Sequence, residues 1–279
     1  MVTVSTMARS SSSRDISFDT DFGVAHIRWD GPRATLFLGE VESSAVDTSE
    51  PTYLEFEYMQ HMDAVVSSLW GPQDRFRALH VGGAACALAC AWSASHPQSR
   101  HVAVEVDRLL AEQVREHFPI PKAPQVKIRV GDGRAVLDQT REGSFDVIVR
   151  DAFASGVTPD HLRTVECADR ARRALTASGV YLVNCAHGGP ANARQDIAAL
   201  QEVFPFVASI QDPKVGRSGR RGNVVALASA TDVVDVDEID RALRMLALPA
   251  RITRPADLAR WVAGTPALTD SQVGYPQAD

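Results

Sequence analysis

Hydrophobic and polar positions along this chain follow two rhythms, first that of strands and then that of strands and helices in turn. Apolar stretches at 22–29 and 34–38 flank the turn cluster Asp30-Gly31-Pro32, so residues 16–50 read as β-rich with a small hairpin unit. Residues 53–70 carry Leu54, Tyr58, Met62, Val65, Val66 and Leu69 at helical spacing, and Gly71-Pro72 stops that helix. From 76 onward the pattern predicts strands at 77–81, 101–106, 126–130, 145–149 and 180–183. Helices at 84–95, 108–117 and 158–175 fall between them, the last with Pro159 near its start. A helix at about 193–202 precedes two late strands, 207–210 and 223–228, joined by a basic loop holding Lys214, Arg217, Arg220 and Arg221. Helices at 236–246 and near 256–262 follow.

Strands and helices in alternation imply a mostly parallel sheet with helices on both faces. Ligands of such sheets sit beyond the carboxyl ends of the strands, where this chain places its glycines and carboxylates. Gly82-Gly83 ends the first strand; backbone can approach a ligand there, although a glycine pair also serves packing. Glu105 ends the second, placed to accept hydrogen bonds from ribose hydroxyls or else an exposed strand end. Asp107 competes with it but suits a cap on the next helix. Asp132, between Gly131 and Gly133, can receive an adenine amino group or simply form a turn. Asp151 follows the fourth strand, where a carboxylate can orient an attacking amine, accept its proton, or cap the loop 152–157. Four consecutive strand ends furnished in this way give a joint reading stronger than any one of them: a site for an adenosyl ligand of the S-adenosylmethionine type.

Composition narrows the classes. The 279 residues suffice for one large domain or a main domain with an appendage, and 45% hydrophobic with 23% charged residues is ordinary for a folded protein. A formal net charge of −6 argues against a large nucleic-acid surface and suits solubility or a cationic substrate. Cys86, Cys90, Cys167 and Cys185 form neither a disulfide framework nor a zinc motif and fit a reducing cytoplasm. No segment reaches the ~18 apolar residues of a membrane helix, and the Ser-rich start lacks a signal-peptide core. The eight histidines sit singly, without metal-ligand spacing, and read as structural or surface residues; no metal is expected. No GxSxG, P-loop or HExxH motif supports a hydrolase or nucleotide triphosphatase. The expected organisation is a disordered tail (1–15), a β-hairpin unit and helix (16–70), an adenosyl-binding α/β domain (71–234) and a C-terminal helical tail (235–279).

The segments 79–83, 102–107, 129–133 and 145–151 together resemble the spermidine synthase family, the polyamine aminopropyltransferases. The resemblance spans most of residues 30–230. It implies a Rossmann-like class I S-adenosylmethionine-dependent methyltransferase fold behind a small N-terminal β-rich unit, and a homodimer joined through that unit. It also implies decarboxylated S-adenosylmethionine, or S-adenosylmethionine itself, as co-substrate and a small-molecule amine as acceptor. On it, the cofactor-binding set is Gly82, Gly83, Glu105, Val106, Asp132, Gly133 and Asp151, with Asp151 also catalytic. Glu42 and Tyr58 are candidate substrate residues, with Glu40, Glu55 and Glu57 as further carboxylates from the N-terminal side. Two positions depart from the family pattern. The glycine loop GGGDGG is matched by Gly82-Gly83-Ala84-Ala85-Cys86-Ala87, with Ala85 in place of the carboxylate, and the second aspartate of Asp-x-x-Asp falls at Ala154. The family's Tyr, Glu and His positions in the first helix fall near Phe56, Tyr58 and Met62. Aminopropyl transfer to a polyamine or other amine is therefore set beside methyl transfer to a small molecule and a non-catalytic adenosyl-binding role.

Overall fold

The computed structural model describes residues 15–154, 156–216, 220–231 and 234–276; nearly all of the expected N-terminal tail, and Arg217 of the basic loop, lie outside them. Four antiparallel strands come first: β1 (Ile16–Thr20), β2 (Gly23–Asp30), β3 (Arg33–Leu38) and β4 (Val41–Asp47), paired in sequence order. The hairpin read from the sequence is the inner pair of this meander. Ala25, Ile27, Ala34 and Leu36 alternate inward and are fully buried.

The helices are α1 (Glu57–Leu69), α2 (Ala87–Ser95), α3 (Arg108–His117), α4 (Gly133–Asp138), α5 (Val165–Ala174), α6 (Ala193–Gln201), α7 (Val236–Arg244), α8 (Pro255–Val262) and α9 (Asp270–Val273). Between them run β5 (Arg77–Val81), β6 (Arg100–Glu105), β7 (Val126–Val130), β8 (Phe145–Arg150), β9 (Leu175–His187), β10 (Phe206–Gln211), β11 (Gly222–Ser229) and β12 (Arg251–Thr253). These eight form one sheet in the order β12-β10-β11-β9-β8-β5-β6-β7. The pairs from β7 to β9 are parallel; β11 is antiparallel to both β9 and β10, and β12 is antiparallel to β10. The strand order reverses at β5, the switch point where α/β sheets open a ligand crevice.

Two apolar cores flank the sheet. One joins the N-terminal meander to α1, α2, α3 and α7 through residues such as Met62, Trp92, Val114 and Ile239. The other packs α4, α5, α6 and α8 through Leu137, Ala171, Ile197 and Leu258. Leu79 and Val81 face this second core while Ala78 faces the first, the period of a strand buried on both sides. All four cysteines are free and buried. No helix of the described residues is long and apolar enough to cross a membrane.

Several local expectations change. The helix expected over 84–95 begins at Ala87, because Ala84 and Cys86 hold left-handed backbone with φ of 37° and 57°. The helix expected over 158–175 divides into a 3-10 turn, Asp160–Leu162, and α5, whose first turn is capped by Thr164 Oγ accepting from the Cys167 N–H at 3.1 Å. Asp132-Gly133 does not close a turn but opens α4, with Asp132 as its cap. The C-terminal segment, expected to be helical, also supplies β12 to the sheet.

Candidate active site

β5 ends at Val81, and the chain turns at Gly82 with φ of +96°. A Cβ at Gly82 would lie 2.1 Å from the carbonyl oxygen of Asp151, so only glycine lets this strand end close against β8. The loop that follows is held by Glu105 at the end of β6. Its Oε2 accepts from the backbone N–H of Ala84 at 2.9 Å and Gly83 at 3.3 Å, and its Oε1 accepts from that of Asp107 at 3.1 Å. Asp107 caps α3 through the Leu110 N–H at 2.8 Å.

At the end of β7, Asp132 Oδ1 accepts from the Ala135 N–H at 2.9 Å, and Oδ2 lies 3.0 Å from His161 Nε2. The bond from His161 holds the Asp132 carboxyl below its ordinary range. His161 stacks on Tyr275 with ring centroids 5.4 Å apart. Arg134, next in α4, makes a buried two-pronged contact with Asp270 at 2.9 and 2.6 Å. The segment around α9 thus grips the strand end that carries Asp132.

Asp151 follows β8 and is enclosed. Its Oδ2 accepts from the Tyr58 hydroxyl at 2.9 Å, and its Oδ1 accepts from Asn184 Nδ2 at 2.8 Å. Tyr58 arrives on α1; Asn184 arrives because β8 and β9 pair in parallel with Arg150 opposite Val183. Burial raises the Asp151 carboxyl above its usual range against the pull of these two donors, and raises the Tyr58 phenol far above its own. Asn184 must turn its nitrogen toward the carboxylate, which leaves its buried Oδ1 without a partner. An unmet acceptor beside a carboxylate suits an N–H donor. Arg150 points away into the second core, held 2.7 Å from Asp196, and donates to the Asn184 carbonyl at 3.0 Å, tying the two strand ends together.

One cavity of about 450 Å³ joins these groups. Gly82, Gly83, Glu105 and Val106 line it from the first two strand ends, and Asp132, Gly133 and Asp151 from the next two. Tyr58 and Glu42 reach it from the segment ahead of the main sheet. Glu40, Glu55 and Glu57 do not line it; Glu55 lies 3.6 Å from Arg33 instead. Phe56 is on the wall, whereas Met62 is sealed in the core. Ala154 is on the wall, but Ala85 is fully buried and off it. Asn184 and His161 escaped the sequence reading: one is a mid-strand polar residue that strand pairing alone would single out, the other lies in a loop without a motif. The histidines are not all isolated either, since His80 Nε2 lies 3.1 Å from His101 Nδ1. Among the described residues no group of three or more His, Cys, Asp or Glu is placed to hold a metal ion.

Comparison with known proteins gives a consistent picture. No family model matches the chain. Among curated relatives, the polyamine aminopropyltransferase of Vibrio vulnificus (strain CMCP6) is 26% identical over 110 residues, which is 39% of this chain and only 37% of that protein. Among solved structures, a probable spermidine synthase from Corynebacterium glutamicum ATCC 13032 is 33% identical, with 91% of this chain and 95% of that one covered and a TM-score of 0.84. Human methyltransferase-like protein 13, solved in complex with SAH, is 17% identical over 77% of this chain and 96% of its own, with a TM-score of 0.55, a likeness of fold.

Proposed function

The chain belongs to the spermidine synthase family, and from that premise we propose that it is an alkyl transferase using an adenosyl sulfonium co-substrate and an amine acceptor. The observation that carries this reading is the Tyr58–Asp151–Asn184 constellation on the wall of the cavity that the glycine turn, Glu105 and Asp132 also line. The residues suit such a ligand. Val106, half exposed on the wall, offers an apolar platform for a nucleobase, and Glu105 and Asp132 offer carboxylate oxygens to ribose and adenine donors. The sulfonium supplies an electrophilic carbon and a neutral thioether leaving group.

The acceptor nitrogen, its lone pair free, forms the new C–N bond while the C–S bond breaks and its electrons return to sulfur. The nitrogen then sheds a proton, for which Asp151 is the acceptor. Tyr58 and Asn184 each donate one hydrogen bond to Asp151, so the carboxylate keeps a fixed aim with lone pairs to spare. Asn184 Oδ1 accepts from the same nitrogen and orients it. With an aminopropyl donor the product is a lengthened polyamine or a related amine.

A second reading, methyl transfer from S-adenosylmethionine, draws on the glycine loop, which lines the cavity at Ala84 and Cys86 and holds Ala85 buried behind them, and on Ala154 on the wall. Ala85 and Ala154 stand where the family places carboxylates. A carboxylate beside the donor's alkyl end would repel the carboxylate of S-adenosylmethionine, and its loss relieves that repulsion. One experiment separates the readings. The protein is incubated with each sulfonium and a panel of amines, and the nucleoside product is identified by mass spectrometry. Methylthioadenosine supports aminopropyl transfer and S-adenosylhomocysteine supports methyl transfer; neither product from any pairing would remove the transferase reading.

A further inference from the structure

Among the polar wall groups that the reaction just described leaves unused, one is a buried histidine. His80, on β5, is 4% exposed and lines the cavity beside the small or apolar Met59, Ala89 and Ala103. Strand pairing sets His80 level with Val149, two residues short of Asp151 along the same edge. At the rise of a parallel strand this places it roughly 6–7 Å deeper than Asp151.

A chain of short contacts fixes the tautomer of His80. Ser99 Oγ lies 2.7 Å from the His96 carbonyl oxygen and 2.7 Å from His101 Nε2. Two bare acceptors do not approach so closely, so a proton lies in each contact. The carbonyl has none to give; Ser99 therefore donates to it, and His101 Nε2–H donates to Ser99. Burial, with His80 adding to it, keeps His101 well below its ordinary pKa and so neutral. Its Nδ1 then carries a lone pair and accepts from His80 Nε2–H at 3.1 Å. Burial likewise pulls the His80 pKa down to about 3, so its remaining nitrogen, Nδ1, is a bare acceptor across neutral pH. No described residue donates to that nitrogen, yet it is not sealed off like the unpartnered Nδ1 of His61; its open edge is the cavity.

We propose that His80 Nδ1 selects acceptor molecules that carry an N–H or O–H donor at the buried end of a short alkyl chain, the end opposite the amine that reacts at Asp151. The inference rests on the reading of this cavity as the acceptor site of an alkyl transferase. A chain ending in a methyl group would strip water from Nδ1 and return nothing, a loss on the order of 10-fold in affinity. Ala89 and Ala103, which line the same cavity, present only small apolar side chains to such a chain, and His80 presents a polar one.

Two measurements on the full chain test this. Nitrogen NMR of histidine-labelled protein, assigned by the loss of one signal in His80→Gln, reads the protonation of Nδ1 directly; it should be unprotonated at neutral pH. Calorimetry with methylthioadenosine present then compares aminobutanol with pentylamine, which has the same reach but no distal donor. Aminobutanol should bind about 10-fold more tightly to the wild type and shift the His80 Nδ1 signal, and His80→Leu should abolish or invert that preference. Equal affinities in the wild type, or a protonated Nδ1, overturn the proposal whatever the variant does. An unprotonated Nδ1 with neither amine bound would instead remove the acceptor-site reading, and the selecting role with it.

Discussion

Substitution of Gly82 by alanine puts the geometry of the site to its sharpest test. The new Cβ would sit 2.1 Å from the Asp151 carbonyl oxygen, 2.6 Å from its carbon and 2.9 Å from the Ala152 Cα, all backbone atoms that no rotamer change can move. Ordinary contact requires the glycine turn and the Asp151 segment to part by about 1 Å, in a chain packed at crystal-like density. A left-handed backbone adds about 1–2 kcal/mol of strain for alanine. With the overpacking, the expected destabilisation is about 3 kcal/mol, or a fall in thermal midpoint of roughly 6–12 °C. A shift of about 1 Å in the Asp151 segment should also lower turnover about 100-fold. The control is Gly143→Ala, where φ is +63° but nothing lies within 4 Å of the added carbon; it should cost only backbone strain and leave turnover intact. Thermal unfolding followed by circular dichroism, with product measured by mass spectrometry, reads both quantities. A Gly82→Ala protein that matches the control in both would refute the close approach of the two strand ends.

Asp151→Asn should lower turnover at least about 100-fold while raising the thermal midpoint at neutral pH. The carboxyl is raised by burial, so between its unfolded and folded pKa values the folded state holds the extra proton; wild-type stability falls as pH rises through that window and stays lower above it. The variant should lose this dependence, and a midpoint below that of the wild type at neutral pH would count against it. Arg134→Ala should cost about 3–5 kcal/mol in chemical denaturation, because Asp270 is left charged and buried; a cost under about 1 kcal/mol would mean that the α9 contact is not held in solution. Ala84→Gly should leave stability unchanged or raise it by about 0.5 kcal/mol, against the usual direction, since glycine relieves a left-handed residue. Denaturation showing a clear loss would place that residue outside the left-handed region.

How far the sequence revealed all this varies residue by residue. The helix over 108–117 was legible to the residue, because Asp107 is a strong cap and Leu110, Ala111 and Val114 mark one inward face. The strand ends bearing Gly82, Glu105, Asp132 and Asp151 were legible for a related reason: each follows a short apolar run with a polar or glycine stop. The loop at Ala84–Cys86 was not, since alanine and cysteine carry no sign of a left-handed backbone imposed by the tertiary contacts of Glu105. α4 was hidden because Asp-Gly is as much a turn signal as a cap, and β12 because three residues have no period to detect. The pairing of His80 with His101, and of Tyr58 and Asn184 with Asp151, depends on residues 21, 93 and 33 positions apart, and periodicity carries no information at that range.

The origin of Tyr58 has a bearing on how such a protein diversifies. On the proposed function, the wall that faces the nucleoside is formed by the loops after β5, β6 and β7, whereas much of the opposite wall, from Leu38 to Met59, belongs to the segment that precedes the sheet. Mutation can therefore remodel that preceding segment and redirect what is modified while the donor's seat stays untouched. A lineage built on this plan can explore new acceptors by drift in one stretch of gene, so long as the Tyr58 hydroxyl that aims Asp151 is kept.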